Sequence, residues 1–299
     1  MKAVLYTEFG DTDVLQVQDV DAPHAGAGQI RLRVVSAGMN PVDVKIRHGW
    51  MADMASQLPA TPGLEAAGIV DEVGEGVHGV AVGDAVLAPT VTGSYAEHAI
   101  ADDWALKPAG LSWDTAAALP VGLETADRVL EELAVTAGET LVVHGASGIV
   151  GAFTAQLALR RGATVVGTAS EKNHDFLRSL GVVPVAYGPG QAERISAVTP
   201  NGIDAIADIT GRSVLELSIE LLGGTKRLVT VSDPRAFELG VVFSGQNRRF
   251  GTSLARYAAL VEAGELTVRV AAGFPLAAVH EASALVETGR SDGKVLLHP

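Results

Sequence analysis

Two textures of hydrophobic and polar positions divide the chain. Over residues 1 to 112, short runs in which apolar and polar residues alternate (KAVLY, QIRLRVVSAG, AAGIVDEVG, DAVLA, YAEHAI) are separated by Gly, Pro and Asp turns. A period of two marks half-buried strands, and many short strands with few helical stretches predict a compact, mostly antiparallel β-barrel. From WDTAAALPVGLETADRVLEELA onward, long helical patterns alternate with strands at 141–144, 164–168, 183–186, 204–208, 227–231 and 240–243. That alternation predicts a doubly wound α/β sheet over residues 113–264. Residues 265–299 return to short strands around one helix, LAAVHEASALVETGR, and close on KVLLHP. Such a tail most simply rejoins the first region, so the α/β domain is expected as an insertion within the barrel domain. The chain shows no internal repeat and no low-complexity linker.

Within the α/β region the stretch LVVHGASGIVG (141–151) carries the most chemistry. Ala152 to Arg160 has the spacing of an amphipathic helix, and Thr164 to Thr168 is a β-branched run. The unit therefore reads strand, glycine loop, helix, strand. A parallel crossover of this kind leaves the first amides of its helix unpaired and facing the loop, where they and the helix dipole favour an anion such as a pyrophosphate. Gly145, Gly148 and Gly151 fall at every third position, with Ala146 and Ser147 where the usual dinucleotide fingerprint has x-G. Glycines alone mark an ordinary turn as readily. The flanking strands and helix turn the reading toward a dinucleotide.

Composition narrows the partners. A chain of 299 residues with 47% hydrophobic and 19% charged residues can fill the cores of two globular domains. Its 35 acidic against 22 basic side chains give a net charge of -13, which repels nucleic acid and anionic membrane. An anionic cofactor must then be held by local donors. There is no cysteine, which excludes disulfides, thiolate catalysis and cysteine metal sites. The opening MKAVLYTEFGD has no signal-like apolar core, and no run reaches the length of a membrane span, so a cytoplasmic address is expected. At the end of the second α/β strand, where a carboxylate would accept from the ribose 2'-hydroxyl of NAD, stand Ala169 and Ser170. Lys172 lies two residues on and suits a 2'-phosphate, whereas Glu171 keeps an NAD reading open.

The strings AGMNPVDVKIRHG, TPGLEAAGIVDEVGEGV, VGDAV, GSYAEH, GETLVVHGASGIVG, VVGTAS, LLGG and GKVLL occur in order along essentially the whole chain. On these, the chain resembles the zinc-free quinone oxidoreductases of the zeta-crystallin type, within the medium-chain dehydrogenase/reductase superfamily. The resemblance implies a GroES-like β-barrel catalytic domain (1–112 with 265–299), a doubly wound Rossmann domain (113–264), and a cleft where a nicotinamide meets its substrate. It implies that Ser147, Gly148, Ile149 and Val150 lie over the pyrophosphate. Ser170, Lys172 and Tyr187 match positions around the adenosine 2'-phosphate. Thr125, Val231, Ser232, Phe243 and Ser244 match positions beside the nicotinamide. Glu124 departs from the apolar residue usual before that threonine.

In zinc-dependent relatives a catalytic cysteine and a histidine hold the metal and four cysteines sit on a separate lobe. Here the corresponding positions read Gly38-Met39-Asn40 and Gly63-Leu64-Glu65, and only six residues separate Val86 from Gly93. The eight histidines are scattered and are expected on the surface or in loops, so no metal is expected. Without a Lewis acid, direct alcohol oxidation loses its usual catalyst, and hydride addition to a quinone or an activated C=C is favoured. In NPVDVKIRHGW, Asn40 is a candidate to bond near the nicotinamide ribose or substrate oxygen. Lys45 is a candidate cation for a developing enolate or quinol oxygen, or else a residue of a solvated helix face. Asp43 fits a cap, since Asn-Pro-x-Asp reads as a turn into a short helix. Trp50 stands where enoyl-thioester reductases carry a proton-donating tyrosine, which counts against that substrate class. Neither Tyr187 nor Tyr257 has a lysine four residues on, as a short-chain dehydrogenase would. The expectation is an NADPH-dependent reductase of quinones or of enones and enals, with solvent supplying the proton. The alternatives are an NADPH-binding protein with little turnover and an enoyl-thioester reductase. A homodimer is expected through LGVVFSG (239–245), read as an apolar edge strand.

Overall fold

The computed structural model describes residues 1–51, 57–245 and 249–299. The chain forms two compact units, Met1–Val121 with Arg249–Pro299, and Gly122–Arg248 inserted between them. The first unit opens with β1 (Lys2–Leu5), β2 (Gln16–Asp19), β3 (Ile30–Met39), α1 (Pro41–Arg47), β4 (Glu65–Val73), β5 (Ala85–Pro89), β6 (His98–Ala101), β7 (Ala105–Leu106) and α2 (Trp113–Ala117). The chain then runs through α3 (Pro120–Glu132), β8 (Thr140–His144), α4 (Ile149–Arg160), β9 (Thr164–Ala169), α5 (His174–Ser179), β10 (Val183–Ala186), α6 (Gln191–Val198), β11 (Ala205–Asp208), α7 (Leu215–Leu222), β12 (Leu228–Thr230), α8 (Ala236–Leu239) and β13 (Val242–Phe243). It returns to the first unit with α9 (Gly251–Glu262), β14 (Val270–Pro275), α10 (Val279–Glu287) and β15 (Lys294–His298).

β3 organises the first unit. One of its edges pairs with β4 from Ile30 opposite Val73 to Gly38 opposite Glu65. The other is shared, Ile30–Arg33 pairing with β6 and Ala37–Met39 with β15. Register shifts between Arg31 and Leu32 and between Val34 and Ser36 bend the long strand, as a barrel wall requires. Val4, Leu32, Val70, Tyr95, Val295 and Leu297 meet in one core, so the last strand is part of the same packing as the first.

The inserted unit is a parallel sheet in the order β10-β9-β8-β11-β12-β13. Numbered along the chain this is 3-2-1-4-5-6, the Rossmann order, with its reversal between β8 and β11. Ligands of such sheets bind outside the carboxyl ends of the strands at that reversal. Val142, Val166, Ile206 and Leu228 build the core.

The structure departs from the sequence pattern in several places. The helical pattern over 113–134 is two helices, because Pro120 lacks the N–H that would continue α2 and instead occupies the first turn of α3. The helix after the glycine loop begins at Ile149 and is buried without a break from Gly151 to Ala158, so it is a central helix with no solvent stripe in that stretch. β2 escapes the sequence pattern because all four of its residues are exposed; only its antiparallel pairing with β1 makes it a strand. The edge strand read over 240–243 shrinks to Val242–Phe243, although it does lie at the sheet edge. The structural division also assigns α2 and α9 to the first unit rather than to the inserted one. Among the described residues no helix is long and apolar enough to cross a membrane.

Candidate nucleotide and substrate site

The glycine loop joins β8 to α4. Gly145 takes a positive φ of 79°, the left-handed region that suits glycine. A Cβ on Gly151 would lie 2.2 Å from the Gly145 carbonyl oxygen, so the first turn of α4 packs directly on the loop. A Cβ on Gly148 would meet nothing nearer than that same oxygen at 3.6 Å, leaving open space over the loop. The first α-helical bond here runs from Ala152 N–H to the Gly148 carbonyl at 2.8 Å, so the amides of Ile149, Val150 and Gly151 precede the ladder and are oriented for an anion. A close-packed glycine below, an open face above and first-turn amides together fit the pyrophosphate of a dinucleotide.

Beneath the loop lies a polar network that the sequence reading missed. His144 is completely buried at the end of β8, contrary to the expectation of a surface or loop histidine. Gln191 Nε2 donates to its Nδ1 at 3.2 Å, and Ser218 Oγ lies 3.1 Å from its Nε2. Because an amide nitrogen only donates, Nδ1 accepts and the ring proton sits on Nε2. Burial pushes the imidazole down to about 4, against the opposing pull of the Asp208 charge, so the ring is neutral at physiological pH. Thr168 Oγ1 lies 3.3 Å from Nδ1 and accepts the Gly145 N–H at 3.2 Å, which ties the loop to this network.

The other nucleotide candidates gather at the same sheet end. Ala186 of β10 is opposite Ala169 of β9, so the residues that follow them, Tyr187 and Ser170, leave the sheet side by side. Ser170 begins the 3-10 turn Glu171–Asn173, on which Lys172 is exposed. Arg212, in the segment after β11, lies over the Tyr187 ring at 5.7 Å and adds a cation that sequence reasoning missed. Thr230 of β12 is opposite Phe243 of β13, which brings Val231-Ser232 and Phe243-Ser244 together. Asp208 accepts from Thr230 Oγ1 at 2.8 Å and from Thr210 N–H at 2.9 Å, and the same Thr230 oxygen accepts the Ser232 N–H at 3.2 Å. Thr125 is half-buried on α3, beside Glu124.

The remaining candidates belong to the first unit. Asn40 closes β3 and precedes α1; its backbone N–H donates to Asp43 Oδ2 at 2.8 Å, so the expected turn into a short helix forms. Its carboxamide is engaged on both sides, Oδ1 accepting from Lys294 Nζ at 2.6 Å and Nδ2 donating to Glu65 Oε1 at 2.8 Å. Lys294 also forms an ion pair with Glu65, and both are buried. The second Glu65 oxygen accepts the Val121 N–H at 2.8 Å. Tyr95 donates to Asp43 Oδ2 at 2.8 Å, while Asp43 Oδ1 has no partner among the described residues. Burial pushes the Asp43 carboxyl up to about 7 even though these two bonds favour its charged form. Lys45, on α1, is half-buried, and Trp50 beyond it stacks on His48 at 4.7 Å. Met54 and its neighbours in HGWMADMASQL lie outside the described residues.

Comparison with known proteins agrees with this architecture. Residues 26–110 match the alcohol dehydrogenase GroES-like domain, and residues 180–297 match the zinc-binding dehydrogenase family. The chain is 32% identical to a 2-methylene-furan-3-one reductase of Solanum lycopersicum, over 100% of this chain and 79% of that protein. It is 31% identical to an NADPH-dependent alkenal/one oxidoreductase of Arabidopsis thaliana, over 100% of this chain and 80% of that one. The quinone oxidoreductase of Coxiella burnetii superposes with a TM-score of 0.90 at 30% identity, over 100% of this chain and 99% of that chain. With its Rossmann sheet inserted in a GroES-like barrel and these relatives along its full length, the chain belongs to the zeta-crystallin-type quinone oxidoreductases of the medium-chain dehydrogenase/reductase superfamily.

Proposed function

We propose that the protein is an NADPH-dependent reductase of quinones and of the activated C=C bond of enones and enals, working without a metal. The observation that carries the reading is the glycine loop with its open face and first-turn amides, on a sheet whose end gathers Ser170, Lys172 and Tyr187 but places no carboxylate at the end of β9 itself. When bound, the reduced nicotinamide supplies a hydride, and with a proton from solvent the substrate becomes a hydroquinone or a saturated carbonyl compound. Amides at 149–151 hold the pyrophosphate, and Ser147 and Gly148 let it approach. Lys172, with Arg212 nearby across Tyr187, favours the 2'-phosphate. Thr125, Val231, Ser232, Phe243 and Ser244 shape the nicotinamide end. In the first unit, Lys45 stabilises negative charge that develops on the substrate oxygen. Asn40 contributes through the amide hydrogen left after its bonds to Glu65 and Lys294.

The relatives' names support both substrate classes, one a furanone reductase and one an alkenal/one oxidoreductase, with a quinone oxidoreductase as structural neighbour. A metal-free reaction follows from a chain without cysteine and with Leu64 in the histidine slot. Two copies pair along β13, where Phe237 and Val242 are exposed and Phe237 stacks on Phe243 at 5.3 Å, an apolar edge that calls for a cover. A cytoplasmic setting belongs to the same reading, since nothing in a cysteine-free chain requires an oxidising compartment.

The test is oxidation of NADPH and of NADH by a panel of quinones, enones and enoyl thioesters. Turnover of quinones or enones with preference for NADPH is expected. Preference for NADH would bring Glu171 forward as the ribose ligand, and oxidation by thioesters alone would replace the substrate class.

A further inference from the structure

Glu124, the residue that departs from the family pattern, forms a buried pair with Arg128 one turn along α3. Arg128 Nε donates to Glu124 Oε1 at 2.9 Å and Nη2 to Oε2 at 3.1 Å, a two-pronged geometry. The third arm, Nη1, donates to Ser244 Oγ. Glu124, Arg128 and Ser244 are all buried. Stability does not account for such a pair: burying two charges costs solvation that two apolar side chains would not lose, and apolar replacements of buried pairs are often neutral or stabilising. Its geometry does account for it. β13 has only two residues, joined to β12 at Val229–Val242 and Thr230–Phe243, so the ladder holds its carboxyl end weakly. Beyond it Ser244 is fixed by its own N–H, which donates to the Thr230 carbonyl at 2.8 Å, and by the guanidinium on its hydroxyl.

We propose that Arg128 is a positioning residue: clamped by Glu124, it fixes Ser244 and the end of β13 against α3, and so sets the wall beside the nicotinamide next to Thr125. The inference rests on the nucleotide reading above and deepens it. Through a guanidinium whose Nε and Nη2 are spent on a carboxylate, the wall gains a fixed, neutral polar tether without a net charge at the hydride-donating end.

The test uses the full chain as wild type, Glu124→Leu/Arg128→Met and Arg128→Lys. The double variant replaces both charges with apolar groups, so it is expected to melt at or above the wild-type temperature. Its dissociation constant for NADPH should rise about tenfold, or ~1.4 kcal/mol. That for 2'-phospho-ADP-ribose, which lacks the nicotinamide, should stay within about twofold, because the phosphate contacts are untouched. Turnover with one quinone should fall at least about tenfold, since small misplacements of reacting groups carry losses of that order. Arg128→Lys keeps a cation beside Glu124 but loses the forked donors that reach Ser244, and should shift the two ligands apart in the same direction, which keeps the test decisive if the double variant fails to fold. Equal weakening of both ligands, or values for both variants indistinguishable from wild type, would overturn the inference. A wild type that binds neither ligand would overturn the nucleotide reading and this inference together, whereas a wild type that binds both leaves a null result in the variants to count against the tether alone.

Discussion

The end of the Rossmann sheet and the interior of the barrel each hold a buried polar cluster, built on opposite principles. Around His144 the partners are Gln191, Ser218 and Thr168, neutral groups whose roles as donor and acceptor are settled by geometry. Around Glu65 they are Lys294, Asn40 and, through Asn40, Asp43 and Tyr95, where formal charges leave water together. The neutral cluster steadies a loop that must stay open to an anion. Its charged counterpart ties three neighbouring strands, β15, β3 and β4, and the start of α3 into one body. Charge serves closure around Glu65, and neutral partners serve access around His144.

The largest effect expected from breaking this contrast is in the barrel. Lys294→Met leaves Glu65 buried without its cation and should cost about 3–5 kcal/mol in denaturant unfolding. The exposed pair Lys2–Asp19, at 58% and 79% side-chain exposure, gives the control: Lys2→Ala should cost under ~1 kcal/mol. In the sheet the large effect is on binding. Lys172→Ala should weaken NADPH by roughly 1.5–3 kcal/mol and leave NADH almost unchanged, as read from the two dissociation constants at fixed ionic strength. Equal losses would place Lys172 away from the phosphate.

Two alanine substitutions in the glycine loop sharpen the picture further. Gly151→Ala drives a methyl into the Gly145 carbonyl and should cost about 1–3 kcal/mol of stability, whereas Gly148→Ala should change stability by under ~0.5 kcal/mol. Gly148→Ala should nevertheless weaken NADPH, because the methyl occupies the open face. Calorimetric melting and cofactor titration separate the two outcomes.

A further effect is on the pH dependence of stability, where the two clusters act with opposite sign and largely offset each other in the wild type. His144 is held down at about 4 in the fold, so between its ordinary value near ~6.5 and 4 the unfolded chain binds more protons and stability falls as pH drops. Asp43 is held up at about 7, so between its ordinary value near ~4 and 7 the folded chain binds more protons and stability falls as pH rises. Over the shared window the two slopes oppose. Asp43→Asn should therefore steepen the loss of stability toward acid, and His144→Gln should flatten it, as measured by denaturant midpoints at a series of pH values.

The same contrast explains what was legible in the sequence. The glycine-loop part of the candidate nucleotide site is local: strand, glycine loop, helix and second strand run from Thr140 to Ala169, so their periodicities could be read in order. The charged cluster is assembled from positions 40, 43, 65, 95, 121 and 294, far apart along the chain. Its members stood within the quoted strings, Glu65 after Leu64 and Lys294 in GKVLL, but nothing local pairs them. His144 was misjudged because its partners lie in β9, α6 and α7. Glu124 stood out in the sequence only as a departure from the family pattern; the arginine four residues on was a local signal for a pair that the sequence reading passed over, and the tether to Ser244 needed the fold.

The central claim is hydride transfer from a nicotinamide to carbon without a metal, and isotope labelling tests it most directly. Chelator-treated protein would be given an enone and NADPH carrying deuterium at both C4 positions, and the product analysed by mass spectrometry and NMR. The account predicts one deuterium on the β-carbon and, with unlabelled cofactor in D2O, one on the α-carbon. A product without label from the cofactor, or turnover that is lost on chelation and restored by zinc, would contradict it.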